Sequence, residues 1–279
     1  MKKRRWLITG ASSGLGKALV QEVIQKEELV IASFRNKKQA DAFELAHKAQ
    51  GHKAIVLDLG QPEQIAEKLS TQLGDLPIDL LVNNAGIGFI GAVEETSLEE
   101  IRQVMEVNFY GPMALTNALL PAMRKRGSGR IIQISSHAGI KAFAGFGVYN
   151  ASKFALEGLA EAQAQELAEL GIQMTLVEPG PFRTEFAGGS LHQAAKRYPD
   201  YNATAGIFRE RLSGVDGKQE GDPQKAASAL FALSQEENPG LRMPLGRIPL
   251  QTIQLKIDQL QADLDRYRER AAGAVFDAN

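Results

Sequence analysis

The chain has 279 residues, 44% of them hydrophobic, and a formal net charge of −1 at pH 7. This length fits one large globular domain, or one domain with an appendage, with ample sequence for a buried core. The near-neutral charge argues against nucleic acid or an anionic membrane as the main partner. The absence of cysteine excludes disulfides, thiolate catalysis and cysteine-ligated metals.

The amino-terminal residues carry no targeting signal that we can identify. The basic residues 2–5 are followed by only three apolar residues, which is too short for the apolar core of a signal peptide. No stretch approaches the length of a transmembrane helix. We therefore expect a cytoplasmic protein.

Short apolar runs alternate with longer helical patterns along the first two thirds of the chain. Such alternation, with strands that are apolar throughout, indicates a parallel sheet covered on both faces. The predicted strands are Trp6–Thr9, Leu29–Ser33, His52–Leu57, Leu80–Asn83, Arg130–Ser135 and Ile172–Glu178, and the predicted helices are Leu15–Lys26, Lys38–Ala49, Gln64–Leu73, Leu98–Arg124 and Tyr149–Leu170. The pattern predicts an α/β fold, a doubly wound parallel sheet of the Rossmann type, which binds ligands at the carboxyl ends of its strands.

The pattern breaks down after Pro179. Residues 181–222 show no clean strand and are rich in glycine, aromatic and charged residues, which favours a lid over a simple surface excursion. We assign residues 1–240, which include the lid segment 181–222, to one domain. Residues 241–279 then form an extension of the same domain, with an edge strand at Leu241–Leu245 and a carboxyl-terminal helix.

The carboxyl-terminal helix has apolar residues at alternating steps of three and four. They are Leu250, Ile253, Ile257, Leu260, Leu264, Tyr267 and Ala271. This stripe favours packing against the helix's own domain, and a contact between subunits is the alternative. The mixed charges on the outer face argue against membrane docking.

The first predicted strand runs into the glycine-rich sequence TGASSGLG, residues 9–16, and then into a helix. Glycines let the backbone turn tightly against a pyrophosphate, and the helix amino terminus offers unpaired N–H groups. The sequence therefore predicts a dinucleotide site. The second strand is followed by Arg35 with no carboxylate before Asp41, which favours NADP, because a guanidinium can bind a 2′-phosphate that a carboxylate would repel. The alternative for Arg35 is an ordinary basic loop.

Tyr149 and Lys153 lie four residues apart in a helical pattern, so their side chains share one face. A cation beside a phenol stabilises the phenolate and lowers its pKa. Lowering the pKa by about three units corresponds to roughly 4 kcal/mol. The pair alone is not specific, because the same spacing occurs by chance in many helices.

Together these motifs resemble those of the short-chain dehydrogenase/reductase family, in its NADP-preferring branch, over roughly residues 5 to 185. TGASSGLG is similar to that family's cofactor turn, LVNNAG to the motif that lines the adenosine, and EPGPFRTEF to the motif after the sixth strand. The resemblance implies a catalytic tetrad of Asn108, Ser136, Tyr149 and Lys153. It implies these cofactor-binding residues: Gly10, Ser12, Ser13, Gly14, Leu15, Gly16, Arg35, Asp58, Asn83, Ala85, Gly86, Tyr149, Lys153, Pro179, Gly180, Phe182 and Thr184.

The resemblance also implies the reaction. Tyr149 exchanges a proton with the oxygen of a carbonyl or secondary alcohol, Ser136 hydrogen-bonds the same oxygen, and Lys153 holds the nicotinamide ribose. Asn108 anchors a water that links Lys153 to solvent, Asp58 touches the adenine and Thr184 the carboxamide. No metal is expected. A homodimer or homotetramer through Leu98–Arg124 and Tyr149–Leu170 is expected from the family.

Phenylalanines near the predicted strand ends suggest an apolar mouth for a hydrophobic carbonyl compound or alcohol. They are Phe89, Phe143, Phe146, Phe182 and Phe186. His137 either contacts the substrate or fills space as a neutral side chain. Two other functions stay open: an NADP-sensing regulatory or scaffold protein without catalysis, and a nicotinamide-dependent epimerase or dehydratase.

Overall fold

The computed structural model describes residues 3–186, 189–215 and 217–276. Its central sheet contains β1 (Arg5–Ile8), β2 (Leu29–Phe34), β3 (Lys53–Val56), β4 (Leu80–Asn83), β6 (Gly129–Ile134), β7 (Ile172–Pro179) and β9 (Arg242–Leu245). The seven strands are all parallel, in the order β3-β2-β1-β4-β6-β7-β9. A separate parallel pair joins β5 (Gly88–Ile90) to β8 (Leu191–Gln193).

Nine α-helices connect or flank these strands within the described residues. They are α1 (Gly14–Gln25), α2 (Lys37–His47), α3 (Ile65–Leu73), α4 (Leu98–Met105), α5 (Gly111–Arg126), α6 (Gly147–Ala168), α7 (Ile207–Gly214), α8 (Pro223–Leu233) and α9 (Arg247–Ala272). The stretch predicted as one helix from Leu98 to Arg124 is interrupted by a π-helical turn, Glu106–Tyr110, between α4 and α5. Such turns are rare and often occur at functional sites.

The two faces of the sheet bury separate apolar layers. One layer packs α1 and α8 against strand residues such as Trp6 and Val82. The other packs α3, α5 and α6 against the alternate residues, such as Leu7 and Leu81. Because both faces are covered, the strands are apolar at nearly every position and show no alternation. This confirms the doubly wound α/β fold.

The strand order reverses between β1 and β4. Successive connections run outward to β2 and β3 on one side and to β6, β7 and β9 on the other. Such a reversal opens a crevice beyond the carboxyl ends of the strands, where α/β proteins of this kind bind ligands.

The lid segment is more regular than the sequence indicates. It contains β8, which pairs with β5 in register from Gly88 opposite Leu191, and the short helix α7. The prediction of no clean strand there was wrong, because β8 depends on a partner about a hundred residues away. Positions 187, 188 and 216 of the lid, and 277–279 of the carboxyl-terminal extension, lie outside the described residues.

The carboxyl-terminal helix departs from the favoured prediction of packing on its own domain. In α9 only Pro249 and Thr252 are buried, and every described residue from Ile257 to Phe276 is exposed. The edge strand before it does form, as β9 beside β7. None of the described helices is both long enough and apolar enough to span a membrane.

Candidate active site

A cleft of about 780 Å³ opens at the carboxyl ends of the central strands. It runs from the glycine-rich turn after β1 and the end of β2, past β4 and β6, to the loop after β7 and the lid. Nearly all of the predicted site residues line it. The exceptions are Gly16, Asn83 and Asn108.

Two positions of the glycine-rich turn require glycine. Gly10 has φ +69°, in the left-handed region that favours glycine. A Cβ on Gly16 would lie 2.3 Å from the carbonyl oxygen of Gly10, so only glycine fits where α1 starts. Gly16 therefore shapes the turn from behind, while Ser12, Ser13, Gly14 and Leu15 face the cleft.

The amino terminus of α1 points its first turn at this part of the cleft. The helix begins at Gly14, and the side chain of its N-cap residue, Ser13, makes no capping hydrogen bond. The first N–H groups of a helix have no partner within the helix and carry a partial positive charge. The turn thus suits the phosphates of a dinucleotide.

Thr9 joins the glycine-rich turn to the loop after β4. Its buried hydroxyl accepts hydrogen bonds from the backbone N–H groups of Asn84 (2.9 Å) and Ala85 (3.0 Å). The amide of Asn84 also donates to the carbonyl oxygen of Thr9 at 2.8 Å. Asn84, Ala85 and Gly86 consequently lie at fixed positions across the cleft from Gly10.

The end of β2 contributes the charged part of the lining. Arg35 is exposed at the edge of the cleft and makes no ion pair or hydrogen bond within the described residues. Nearby, Asp58 accepts a hydrogen bond from the N–H of Gly60 at 3.0 Å, which fixes its carboxylate beside the opening. Two lysines follow Arg35 at the start of α2, and one of them, Lys37, is already paired with Asp41 at 2.8 Å. Arg35 is the guanidinium available to an anionic ligand.

At the other end of the cleft, Ser136 and Tyr149 lie side by side. Ser136 follows β6, and its hydroxyl accepts from the N–H of Ala138 at 3.1 Å. Tyr149 is 5% exposed and stacks on Phe146 with ring centroids 4.3 Å apart. Burial raises the pKa of Tyr149 to about 12, and the Ser136 hydroxyl acts in the opposite sense.

Lys153 lies below Tyr149 on the same face of α6. Its ammonium nitrogen donates to the carbonyl oxygen of Ile134 at 2.9 Å and is 5.9 Å from the centroid of the Tyr149 ring. Burial lowers the pKa of Lys153 to about 8, and Glu157, one turn further along α6, opposes that shift. The predicted lowering of the Tyr149 pKa by Lys153 is therefore wrong for the protein alone, because burial dominates and the ammonium is directed at Ile134.

Asn108 is fully buried in the π-helical turn. Its Oδ1 accepts from the N–H of Ile87 at 2.9 Å, and its Nδ2 donates to the carbonyl oxygen of Ile87 at 2.8 Å and to the Ser152 hydroxyl at 3.0 Å. The side chain thus fixes the loop after β4 to α6, next to Lys153. A Cβ on Gly86 would lie 3.1 Å from Asn108 Oδ1 and 3.7 Å from Lys153 Nζ, so the glycine leaves this polar corner open.

The buried carboxylate of Glu95 is one of the groups that fasten the lid to the body. Glu95, 2% exposed, accepts from the N–H groups of Ala92 and Tyr198, both at 2.9 Å, and from the Arg209 guanidinium at 3.1 Å. Burial opposes its ionisation, but these donors together hold the pKa of Glu95 below its usual value. The lid then brings Leu191, Leu212, Val215 and Gln219 over the end of the cleft that holds Tyr149.

Comparison with known proteins identifies the family. The family model described as short chain dehydrogenase matches residues 4–195. The chain belongs to the short-chain dehydrogenase family.

Three known proteins that are 34% to 40% identical to this chain agree with this assignment. The chain is 34% identical to the uncharacterized oxidoreductase YusZ of Bacillus subtilis, over 88% of this chain and 90% of that protein. It is 40% identical to human retinol dehydrogenase 8, over 69% of this chain and 63% of that protein. A solved short-chain dehydrogenase from Streptomyces avermitilis is 37% identical, with a TM-score of 0.89 and coverage of 98% of this chain and 99% of that one.

These findings make the protein an oxidoreductase of the short-chain dehydrogenase family. More distant solved structures, 21% and 26% identical, contain NAD in one case and NADP in the other. The structural neighbours therefore bind nicotinamide dinucleotides of both kinds.

Three sequence predictions about this short-chain dehydrogenase site need correction. The side chain of Asn83 does not reach the cleft: its amide donates to the Thr116 hydroxyl at 3.0 Å, on the face of β4 that packs on α5. Phe89 is buried in a small cluster with Val104, and Phe143 packs against His137 from outside the lining. Phe146, Phe182 and Phe186 do line the cleft.

One residue that sequence reasoning missed, Asn84, carries only a weak local signal. Asn84 stands beside Asn83 in the motif, and only its position after the end of β4 turns it toward Thr9. His137, which lines the cleft, has its pKa lowered to about 4 by burial, so it is neutral at physiological pH. Its Nδ1 has no hydrogen-bond partner among the described residues.

A partly buried cluster of charged residues lies beyond the end of the cleft that holds Tyr149. Arg242 of β9 contacts Glu157 of α6 at 3.2 Å, Glu178 of β7 at 3.4 Å and the more exposed Glu161 at 2.6 Å. Burial raises the pKa of Glu178 to about 7; Glu157 adds to this shift and Arg242 opposes it. Glu157 thus lies between Lys153 on one side and Arg242 and Glu178 on the other.

Proposed function

We propose that the protein is an NADP-dependent oxidoreductase that transfers hydride between the nicotinamide and a carbonyl or secondary alcohol of a small hydrophobic substrate. One observation carries the proposal: the side chains of Ser136, Tyr149 and Lys153 lie together at a buried end of the same cleft that begins at the glycine-rich turn. A protein that only binds a dinucleotide has no need of this arrangement.

The cofactor would be held by groups along the whole cleft. The turn Gly10–Leu15 and the first N–H groups of α1 suit its pyrophosphate, and Asp58, Ala85 and Gly86 suit its adenosine. Arg35 suits a 2′-phosphate, because its guanidinium has no partner among the described residues. Lys153, Pro179, Gly180, Phe182 and Thr184 would hold the nicotinamide half, and Gly16 would shape the turn without contact. Bound NADP would supply the hydride donor or acceptor.

Tyr149 is the group that moves the proton. With a pKa raised to about 12, the phenol is fully protonated near neutral pH, which suits donation to a carbonyl oxygen that is gaining negative charge. Ser136 would hydrogen-bond the same oxygen and stabilise that charge. The reverse reaction needs the phenolate and should therefore be favoured at alkaline pH. Asn108 would supply a water contact that renews the proton through Lys153.

The substrate end of the cleft is largely apolar. Phe146, Phe186, Leu191, Leu212 and Val215 line it, together with polar residues that include His137 and Gln219. Such a lining suits an apolar carbonyl compound or alcohol. Retinol dehydrogenase 8, a relative, is named for an alcohol of this kind.

The test is an absorbance assay of reduced nicotinamide with NADPH and with NADH, across steroid, aromatic and aliphatic carbonyl compounds. We expect oxidation of NADPH with at least one apolar carbonyl. Tyr149→Phe should bind NADPH with unchanged affinity and lose turnover by orders of magnitude, while the exposed Tyr110→Phe should keep it.

Three results would contradict this proposal. Turnover that survives in Tyr149→Phe would remove the phenol from the reaction. Tight NADPH binding without oxidation by any carbonyl in the panel would instead support a cofactor-sensing protein. A substrate that is converted with no net NADPH consumption would indicate an epimerase or dehydratase.

A further inference from the structure

The outer part of α9 is an apolar helix face with nothing packed on it. All described residues from Ile257 to Phe276 are exposed, including Ile257 (52%), Leu260 (54%), Leu264 (57%) and Tyr267 (47%). Most of the stability of a helix in a protein comes from packing of its apolar face, and the side-chain pairs along this one contribute only tenths of a kcal/mol each. An exposed apolar face of this kind marks a site that binds another protein surface.

The spacing of the face identifies the kind of partner. Leu250, Ile253, Ile257, Leu260, Leu264 and Tyr267 fall on the first and fourth positions of successive heptads. Such a narrow stripe is the seam of a coiled coil, whereas a helix that packs on a globular core usually carries a broader one. A second helix with the same stripe is the natural match.

The charges beside the stripe select one register. Lys256 and Asp263 flank it on the same side, seven residues apart, and neither makes an ion pair or hydrogen bond within the described residues. In an antiparallel pair these flanking positions face each other across the seam. If Ile257 packs on Leu260 of a second copy, and Ile253 on Leu264, each Lys256 faces an Asp263.

Shifting that pairing by one heptad in either direction destroys the match. One shift places Lys256 against Lys256, and the other places Asp263 against Asp263 and Lys256 against Arg270. The matching register also pairs the largest number of bulky apolar residues. It sets Leu250 opposite Tyr267, Ile253 opposite Leu264 and Ile257 opposite Leu260, and each pair occurs twice in the dimer.

We propose that α9 is an interface for a second copy of this chain, paired antiparallel in the register that sets Lys256 against Asp263. This surface is separate from α4, α5 and α6. Pairing through α9 would therefore be a second subunit contact, independent of any that those helices make. From Leu250 onward the charges of α9 sum to zero, with Lys256, Arg266, Arg268 and Arg270 balanced by Asp258, Asp263, Asp265 and Glu269. A membrane-surface helix would instead carry an excess of lysine and arginine.

A parallel pair fits less well. It would set Asp263 against Arg268, which already contacts Asp265 of its own helix at 2.6 Å. It would also bring both globular bodies to the same end of the helix pair, because α9 leaves the body at Arg247, directly after β9.

Cysteine cross-linking tests the register directly, because the natural chain contains no cysteine. Full-length Ile253→Cys and Leu264→Cys chains with tags of different mass are oxidised separately and as a mixture. We expect a disulfide-linked heterodimer in the mixture and none in either variant alone, since like positions would lie about 16 Å apart along an antiparallel pair. Cross-linking of either variant with itself, or none in the mixture, would overturn the proposal.

Association in solution gives the second readout. Leu260→Asp should halve the mass measured by light scattering, while Leu255→Asp should not, because Leu255 is 57% exposed on the opposite side of the same helix. Lys256→Glu should weaken association at least tenfold, and Lys256→Glu with Asp263→Lys should restore it. Equal effects of Leu255→Asp and Leu260→Asp, no rescue by the double variant, or binding to phosphatidylglycerol vesicles that Leu260→Asp abolishes would each refute the pairing.

Discussion

The ammonium nitrogen of Lys153 lies 5.9 Å from the centroid of the Tyr149 ring, with its hydrogen bond directed at the carbonyl oxygen of Ile134. The protein alone therefore leaves the two groups in different states: burial raises the pKa of Tyr149 to about 12 and lowers the pKa of Lys153 to about 8. Near neutral pH both carry their proton. The lysine is the first of the two to lose it as pH rises.

This order predicts the pH dependence of carbonyl reduction. If Lys153 must be charged to hold the cofactor, kcat/KM for NADPH-dependent reduction should fall as pH rises through about 8. Glu157 favours the charged lysine, so Glu157→Gln should move that fall to lower pH. Glu161→Gln, one turn further along α6 and half exposed, is the matched control and should leave the profile in place. A profile that stays flat to pH 10, or an upward shift in Glu157→Gln, would contradict the assignment.

Cofactor preference should depend on Arg35. Its guanidinium lies at the cleft edge with no partner among the described residues, whereas Lys37, at the start of α2, is paired with Asp41. Arg35→Ala should raise the KM for NADPH about tenfold or more, since a charge-assisted hydrogen bond to phosphate is lost, and should leave the KM for NADH nearly unchanged. Lys37→Ala should change neither value by more than about twofold. Steady-state kinetics with both cofactors measures these KM values. An equal rise in the KM for NADH would show that Arg35 does not recognise the 2′-phosphate.

Much of the sheet was predictable from sequence, for a physical reason. Strands that are covered on both faces are largely apolar, so β4, with Leu80, Leu81 and Val82, is recognisable as a continuous apolar run. The same uniformity does not show which way each side chain points, and Asn83 was placed in the cleft by the resemblance of LVNNAG to the family motif. In the structure Asn83 shares the face of Leu81 and packs on α5, as the two-residue period of a strand requires.

Long-range contacts were beyond the reach of sequence patterns. Glu157, Glu178 and Arg242 come from three separate elements, which the strand order β6-β7-β9 brings together. The strand β8 forms only because β5 offers it an edge. For α9 the sequence predicted the apolar stripe correctly, but a stripe does not state whether its partner is the same chain or another.

The lid should respond to the protonation of Glu95. Glu95→Gln leaves the Arg209 guanidinium without its carboxylate, and the loss of such a charged hydrogen bond costs roughly 1.5–3 kcal/mol. We expect limited proteolysis within residues 189–215 to become about tenfold faster or more. The exposed Glu99→Gln, at the start of α4, is the control and should cleave at the wild-type rate.

The sign of the accompanying pH effect follows from the low pKa of Glu95 in the folded protein. Its contribution is fully present above the ordinary pKa of a glutamate and is lost as pH falls through the lower, folded value. The wild-type lid should therefore become more sensitive to protease in acid, measured with a protease active at low pH. In Glu95→Gln that increase should be absent, and a wild-type rate in this variant would show that the lid is held elsewhere.

Glu178 should reduce stability at higher pH. Its pKa rises from the usual range to about 7 in the folded protein, chiefly by burial, so between about pH 4.5 and 7 the folded state holds a proton that the unfolded state has released. Stability then falls as pH rises across this window and is level above it. Glu178→Gln keeps the shape and removes the charge, so its stability relative to wild type should rise across the same window, by on the order of 2 kcal/mol. Urea unfolding at pH 5 and pH 8 measures the difference, with the exposed Glu166→Gln as control. If Glu178→Gln is less stable than wild type by the same amount at both pH values, Glu178 is ionised in the folded protein and its pairing with Arg242 outweighs the effect of burial.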